Sequence, residues 1–184
     1  MKYLCPLTPR PDWCSNQCED PEETESSDPQ KIRLYCYEES LADHIKDRTI
    51  ISLAECRKIV EDICVQYSVV EIPEVKDGRG MKVARGGYGT DKVLRIKLPC
   101  QYRYRIAVLH ETAHCVLHYY LDHPKTRPPE ETQRIKYYLI NKHDSFYYPH
   151  GPLYVRYLLD IYSSYLKLDL AYLEMVAKQF SLDF

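Results

Sequence analysis

Apolar positions recur at three- and four-residue spacing in several stretches of the chain, and each stretch reads as an amphipathic helix. Over residues 52–67 the set is Leu53, Cys56, Ile59, Val60, Ile63 and Tyr67, with Ser52 as N-cap and Glu55 completing a capping box. Over residues 102–120, Ile106, Leu109, Ala113, Val116, Leu117 and Tyr120 form one stripe. A third helix starts at Pro152, a residue suited to a first turn, and carries Leu153, Tyr157, Leu158, Ile161, Tyr165 and Leu168. Asp169 is the N-cap of a fourth, with Leu173, Val176, Ala177 and Phe180 on its apolar side.

Shorter alternating runs at 32–37, 81–84 and 92–98 read as strands, the last closed by Pro99. Gly78, Gly80, Gly86, Gly87 and Gly89 between them read as hairpin turns; no Gly-Lys-Ser/Thr ending or following helix makes them a phosphate loop. Residues 121–148, rich in Pro, charge and Tyr with a helical look from 130 to 141, form an excursion between core helices. That stretch is either a lid over a site or an inert insertion. The acidic, Pro- and Ser-rich stretch 1–30 reads as a disordered arm, leaving 31–184 as one α+β domain. A small antiparallel or mixed sheet is expected to pack on the 102–120 helix, with further helices around it.

Composition narrows the function classes. A net charge of −2 gives no overall attraction for nucleic acid or anionic lipid. With no apolar run long enough to span a bilayer and no signal-like start, a cytoplasmic protein is expected. The eight scattered cysteines fit reduced thiols better than a disulfide framework; Cys5, Cys14 and Cys18 match no zinc spacing well. Eighteen tyrosines against three Phe point to residues at the boundary between core and surface.

The candidate chemistry lies inside the second helix, in His110-Glu111-Thr112-Ala113-His114. Two histidines four apart lie one above the other on a helix face, so their ring nitrogens can converge on one Zn²⁺, with Glu111 beside them as general base for a zinc-activated water. A catalytic zinc takes three protein ligands. The third is open among His118, His123, Glu130, Glu131, His143 and His150. His118 continues the row but stands about 12 Å along the axis from His110, too far to share an ion. Leu117 and Tyr120 occupy the positions where the metzincin pattern needs Gly and His, which excludes that class. Residues 93–98 lead into this helix and read either as an ordinary strand or as an edge strand that aligns an extended peptide.

Together with His150-Gly151-Pro152-Leu153-Tyr154, the motif resembles the SprT-like (Spartan-like) zinc metallopeptidases, which carry a His-Glu-x-x-His helix and then a His-Gly-Pro-x-Phe segment. The resemblance covers residues 93–178. It implies a zincin-like domain, zinc ligands His110, His114 and His150, and Glu111 as general base in hydrolysis of a protein or peptide substrate. Tyr154 stands where the family has Phe, the interval from His114 to His150 is long, and no zinc ribbon follows. A nucleic-acid partner is implied by the resemblance alone and finds no support in the charge. Two other readings stand beside it: a catalytically idle, zinc-stabilised binding or adaptor module, and a regulatory peptidase of ImmA-like type with Glu130 or Glu131 as third ligand.

Overall fold

A computed structural model of the chain describes residues 28–141 and 148–184. Within them the order is α1 (Lys31–His44), α2 (Leu53–Gln66), β1 (Glu74–Asp77), β2 (Arg85–Tyr88), β3 (Leu94–Leu98), a 3₁₀ turn (Cys100–Tyr102), α3 (Arg105–Asp122), α4 (Pro129–Asn141), α5 (Pro152–Leu166) and α6 (Leu170–Gln179). The architecture is α+β: six helices and a three-stranded mixed sheet of order β1-β3-β2, with β1 parallel and β2 antiparallel to β3.

α3 is the central element. It packs against α2, α5, β2 and β3, and from Ile106 to Tyr120 only His114 and His118 are not buried. Its apolar stripe is therefore wider than the spacing predicts, because the sheet covers one flank and α5 another. α2 begins with the expected capping box, Ser52 accepting from the Glu55 N–H and the Ser52 N–H donating to Glu55. α6 begins at Asp169, whose carboxylate accepts from the Tyr172 N–H at 2.8 Å. Among the described residues no helix is long and apolar enough to cross a membrane. The described cysteines, Cys36, Cys56, Cys64, Cys100 and Cys115, form no disulfide.

Three expectations are corrected. Residues 32–37, read as a strand, lie in α1, where Leu34, Tyr37, Glu38, Leu41 and Ala42 are buried at helical spacing. Six residues of alternation were too short a window, and a buried carboxylate interrupts the stripe that would have marked the helix. The strand expected at 81–84 lies instead at Arg85–Tyr88, through glycines read as turn markers. Gly86 is there because β2 lies directly on α3: a Cβ at this position would stand 2.4 Å from the Glu111 carbonyl oxygen. Finally, β3 is no edge strand. Paired on both sides, it has no free edge to offer a peptide.

Residues 1–27 of the acidic arm, with Cys5, Cys14 and Cys18, lie outside the described residues. Of its last three residues, Asp28 and Gln30 are buried. The 121–148 stretch holds α4, anchored through Glu131, Ile135 and Tyr138; residues 142–147, including His143, are outside the described residues.

Candidate metal centre

One turn of α3 carries His110 and His114, and the residue before the N-cap of α5 carries His150. Gly151 is in extended conformation, as a residue before proline prefers, and Pro152 starts the helix, so His150 enters α5 at a fixed angle. The three Nε2 atoms form a near-equilateral triangle: 3.2 Å between His110 and His114, 3.3 Å between His114 and His150, and 3.3 Å between His150 and His110. Among the described residues these three histidines form the group that could hold a metal ion.

The hydrogen bonds on the far side of two rings settle which nitrogens are available. His110 Nδ1 lies 2.8 Å from Glu38 Oε1, and His150 Nδ1 lies 2.5 Å from Asp28 Oδ2. A carboxylate only accepts, so both rings carry their hydrogen on Nδ1 and present an Nε2 lone pair to the centre. Lone pairs converging at this range repel one another unless a cation lies among them. Tetrahedral ligands at the usual zinc–nitrogen distance are about 3.3–3.4 Å apart, within about 0.2 Å of the 3.2–3.3 Å found. The residues fit a metal ion, and Glu38 and Asp28 stand where carboxylates orient metal-binding imidazoles.

The surrounding contacts lock this arrangement. Glu38 Oε1 also accepts from the Tyr162 hydroxyl at 2.5 Å. Asp28 Oδ2 accepts the His150 backbone N–H at 3.1 Å, while Gln30 donates to the His150 carbonyl and accepts from the Asp183 N–H, tying the start of α1 to the C-terminal tail. Tyr154 is fully buried beneath the cluster, its ring stacked 4.2 Å from His114 and its hydroxyl donating to the His110 carbonyl at 3.1 Å. That hydrogen bond is a use for a phenol where the resembled family has Phe.

Burial acts strongly on the titrations here. His114 is held well below its ordinary value by burial and then by the neighbouring imidazoles. Burial pulls His150 down as well, outweighing the Asp28 hydrogen bond. For His110 burial also pulls down, but the Glu38 charge and hydrogen bond more than offset it, and the net shift is upward. Glu111 is 7% exposed, and burial raises its carboxyl, with His110 opposing and Glu38 reinforcing. The Gly86 backbone N–H donates to its carboxylate and opposes the rise without cancelling it, and a raised carboxyl next to a metal site suits proton transfer.

The other candidates lie elsewhere. His118 is exposed beside Tyr88 and Gly87; His123 stacks on Tyr119. Glu130 is exposed, and Glu131 accepts from the Tyr157 hydroxyl and pairs with Arg134. Sequence reasoning missed Asp28, Glu38 and Tyr35. Glu38 had a signal, as the charged residue in an otherwise apolar stripe of α1; Asp28 had none. Tyr35, one turn before Glu38, has its ring centroid 5.7 Å from both the His110 and the His150 rings. Compared with known protein families, curated proteins and solved structures, the chain matches none.

Proposed function

We propose that this chain is a zinc-dependent metallopeptidase with a zincin-like domain of SprT-like kind. The observation that carries the reading is the convergence of His110, His114 and His150 Nε2 at 3.2–3.3 Å with the buried carboxyl of Glu111 on the same helical turn. An all-imidazole donor set suits zinc, and a bound zinc would acidify a water and polarise a peptide carbonyl.

The chain's own residues supply the rest. Glu111 takes the proton of the attacking water and passes it to the leaving amine, a role favoured by its raised carboxyl. Glu38 and Asp28 hold two imidazoles in the tautomer that leaves Nε2 bare. The aligning role considered for β3 moves to β2. β2 is an edge strand in contact with α3 at Glu111, so an extended peptide paired to its outer side would run past the base. Two glycines there keep side chains out of the way.

Metal analysis of the full chain with cleavage of an unfolded protein such as casein tests this. One zinc per chain is expected, with cleavage abolished and zinc retained in Glu111→Gln, and both lost in His150→Ala. Stoichiometric zinc in a wild-type protein that cleaves no unfolded substrate would overturn the peptidase reading.

A further inference from the structure

The Tyr35 ring lies beside two members of the cluster, whereas Tyr154 lies beside all three. Tyr154 is 0% exposed and within 4.2–5.5 Å of all three imidazoles, which makes it the floor. Tyr35 contacts His110 and His150 and is 36% exposed, whereas His110, His150 and Glu111 are at 5%, 6% and 7%. It is a partly exposed tyrosine at the rim of a buried site, its ring equidistant from those two imidazoles.

Its backbone is held on the same two histidines. Glu38, one turn on, grips His110, and Asp28 and Gln30, just ahead of α1, grip the side chain and carbonyl of His150. A group so placed on a rigid helix meets the requirement for electrostatic preorganisation. Its hydroxyl makes no hydrogen bond among the described residues, although the tyrosines on the inner side, Tyr154 and Tyr162, both use theirs. Three carboxyls, Asp28, Glu38 and Glu111, surround the centre. A lysine or arginine on this rim would pair with them; a neutral phenol stays available as a donor.

We propose that Tyr35 is a further catalytic residue, donating a hydrogen bond to an oxyanion seated at the open face of the three-histidine cluster. Under the peptidase reading, on which the catalytic part of this inference rests, that oxyanion is the carbonyl oxygen of the scissile bond as it gains charge. No covalent change occurs at Tyr35 itself.

The test uses the full chain loaded with metal. Tyr35→Phe keeps the ring and removes no internal hydrogen bond, so the variant is expected to fold and to take up zinc and cobalt as the wild type does. Titrating the cobalt-loaded proteins with acetohydroxamate, followed by cobalt absorbance, should show binding about 10- to 100-fold weaker in Tyr35→Phe. Tyr137→Phe, on the exposed face of α4, should show wild-type binding. In casein cleavage the kcat of Tyr35→Phe should fall about 10²- to 10³-fold with KM little changed. Hydroxamate binding within twofold of wild type, or a raised KM at unchanged kcat, would overturn the proposal. A wild type that binds metal and hydroxamate but cleaves nothing removes the peptidase reading, and the hydroxamate comparison still decides whether Tyr35 is the donor. A chain that takes up neither metal overturns both.

Discussion

Replacing Asp28 by Ala should weaken zinc binding about 30-fold without unfolding the protein. Asp28 Oδ2 sits 2.5 Å from His150 Nδ1. Adding the width of the imidazole and a zinc–nitrogen bond puts the carboxylate about 6 Å from an ion at the centre. At that distance a single negative charge and a divalent cation attract by about 1.4 kcal/mol at the dielectric of water and about 5.5 kcal/mol at an effective value of 20. Removal of an outer carboxylate elsewhere costs 10- to 100-fold, about 1.4–2.7 kcal/mol. The lower half of the Coulomb range is the relevant one, because the truncated side chain leaves room for water to accept the Nδ1–H. Competition against a chromophoric chelator gives the affinity, and Asp28→Asn separates charge from geometry: it keeps an acceptor for the ring and loses the charge. Melting of the metal-free proteins checks the fold. Zinc affinity within twofold of wild type in Asp28→Ala would refute the view that this carboxylate orients the third histidine.

Three other outcomes follow from particular contacts. Gly86→Ala puts a Cβ against the Glu111 backbone at 2.4 Å, so β2 must lift from α3; a loss of about 2–3 kcal/mol, or roughly 4–12 °C in Tm, is expected, and an unchanged Tm would show that the strand does not lie there. Ser52→Ala removes the acceptor for the Glu55 N–H at the start of α2 and should cost about 1 kcal/mol, measured as a shift in urea midpoint with unchanged slope. In the metal-free protein His114 stays neutral below the pH at which it would protonate in the unfolded chain, so its contribution to stability is present above about 6.5 and is lost as pH falls toward its depressed folded value. Urea unfolding at pH 7.5 and 5.5 should therefore show wild type losing stability relative to His114→Gln on acidification; equal changes in the two would contradict the depressed value.

Much of the helical frame could be read from apolar spacing, because α2, α3, α5 and α6 each bury a stripe and three of them begin with a recognisable residue: Ser52, Pro152 and Asp169. His110, Glu111 and His114 were legible for the same local reason, lying within five consecutive residues of one helix. His150 was reachable through the resemblance of its His-Gly-Pro segment. Asp28 was not, since one aspartate among 27 acidic residues carries no mark of a partner 122 positions away. β1, four residues with one buried side chain, is defined by its pairing to β3 and by no pattern of its own.

The two local misreadings share a cause. α1 was obscured by Glu38, a carboxylate set into its buried stripe to hold the His110 ring. β2 was obscured by Gly86, whose missing side chain lets the strand lie on the Glu111 backbone. In each case the residue that breaks the propensity rule touches His110 or Glu111, and in each case the tertiary contact outweighs the local cost: a hydrogen-bonded carboxylate in the core, a close strand–helix approach. Violations of this kind are expected at functional sites, where local preference yields to geometry. Two independent departures converging on one turn of α3 thus point to the same place as the histidine triangle, and they do so without reference to any metal.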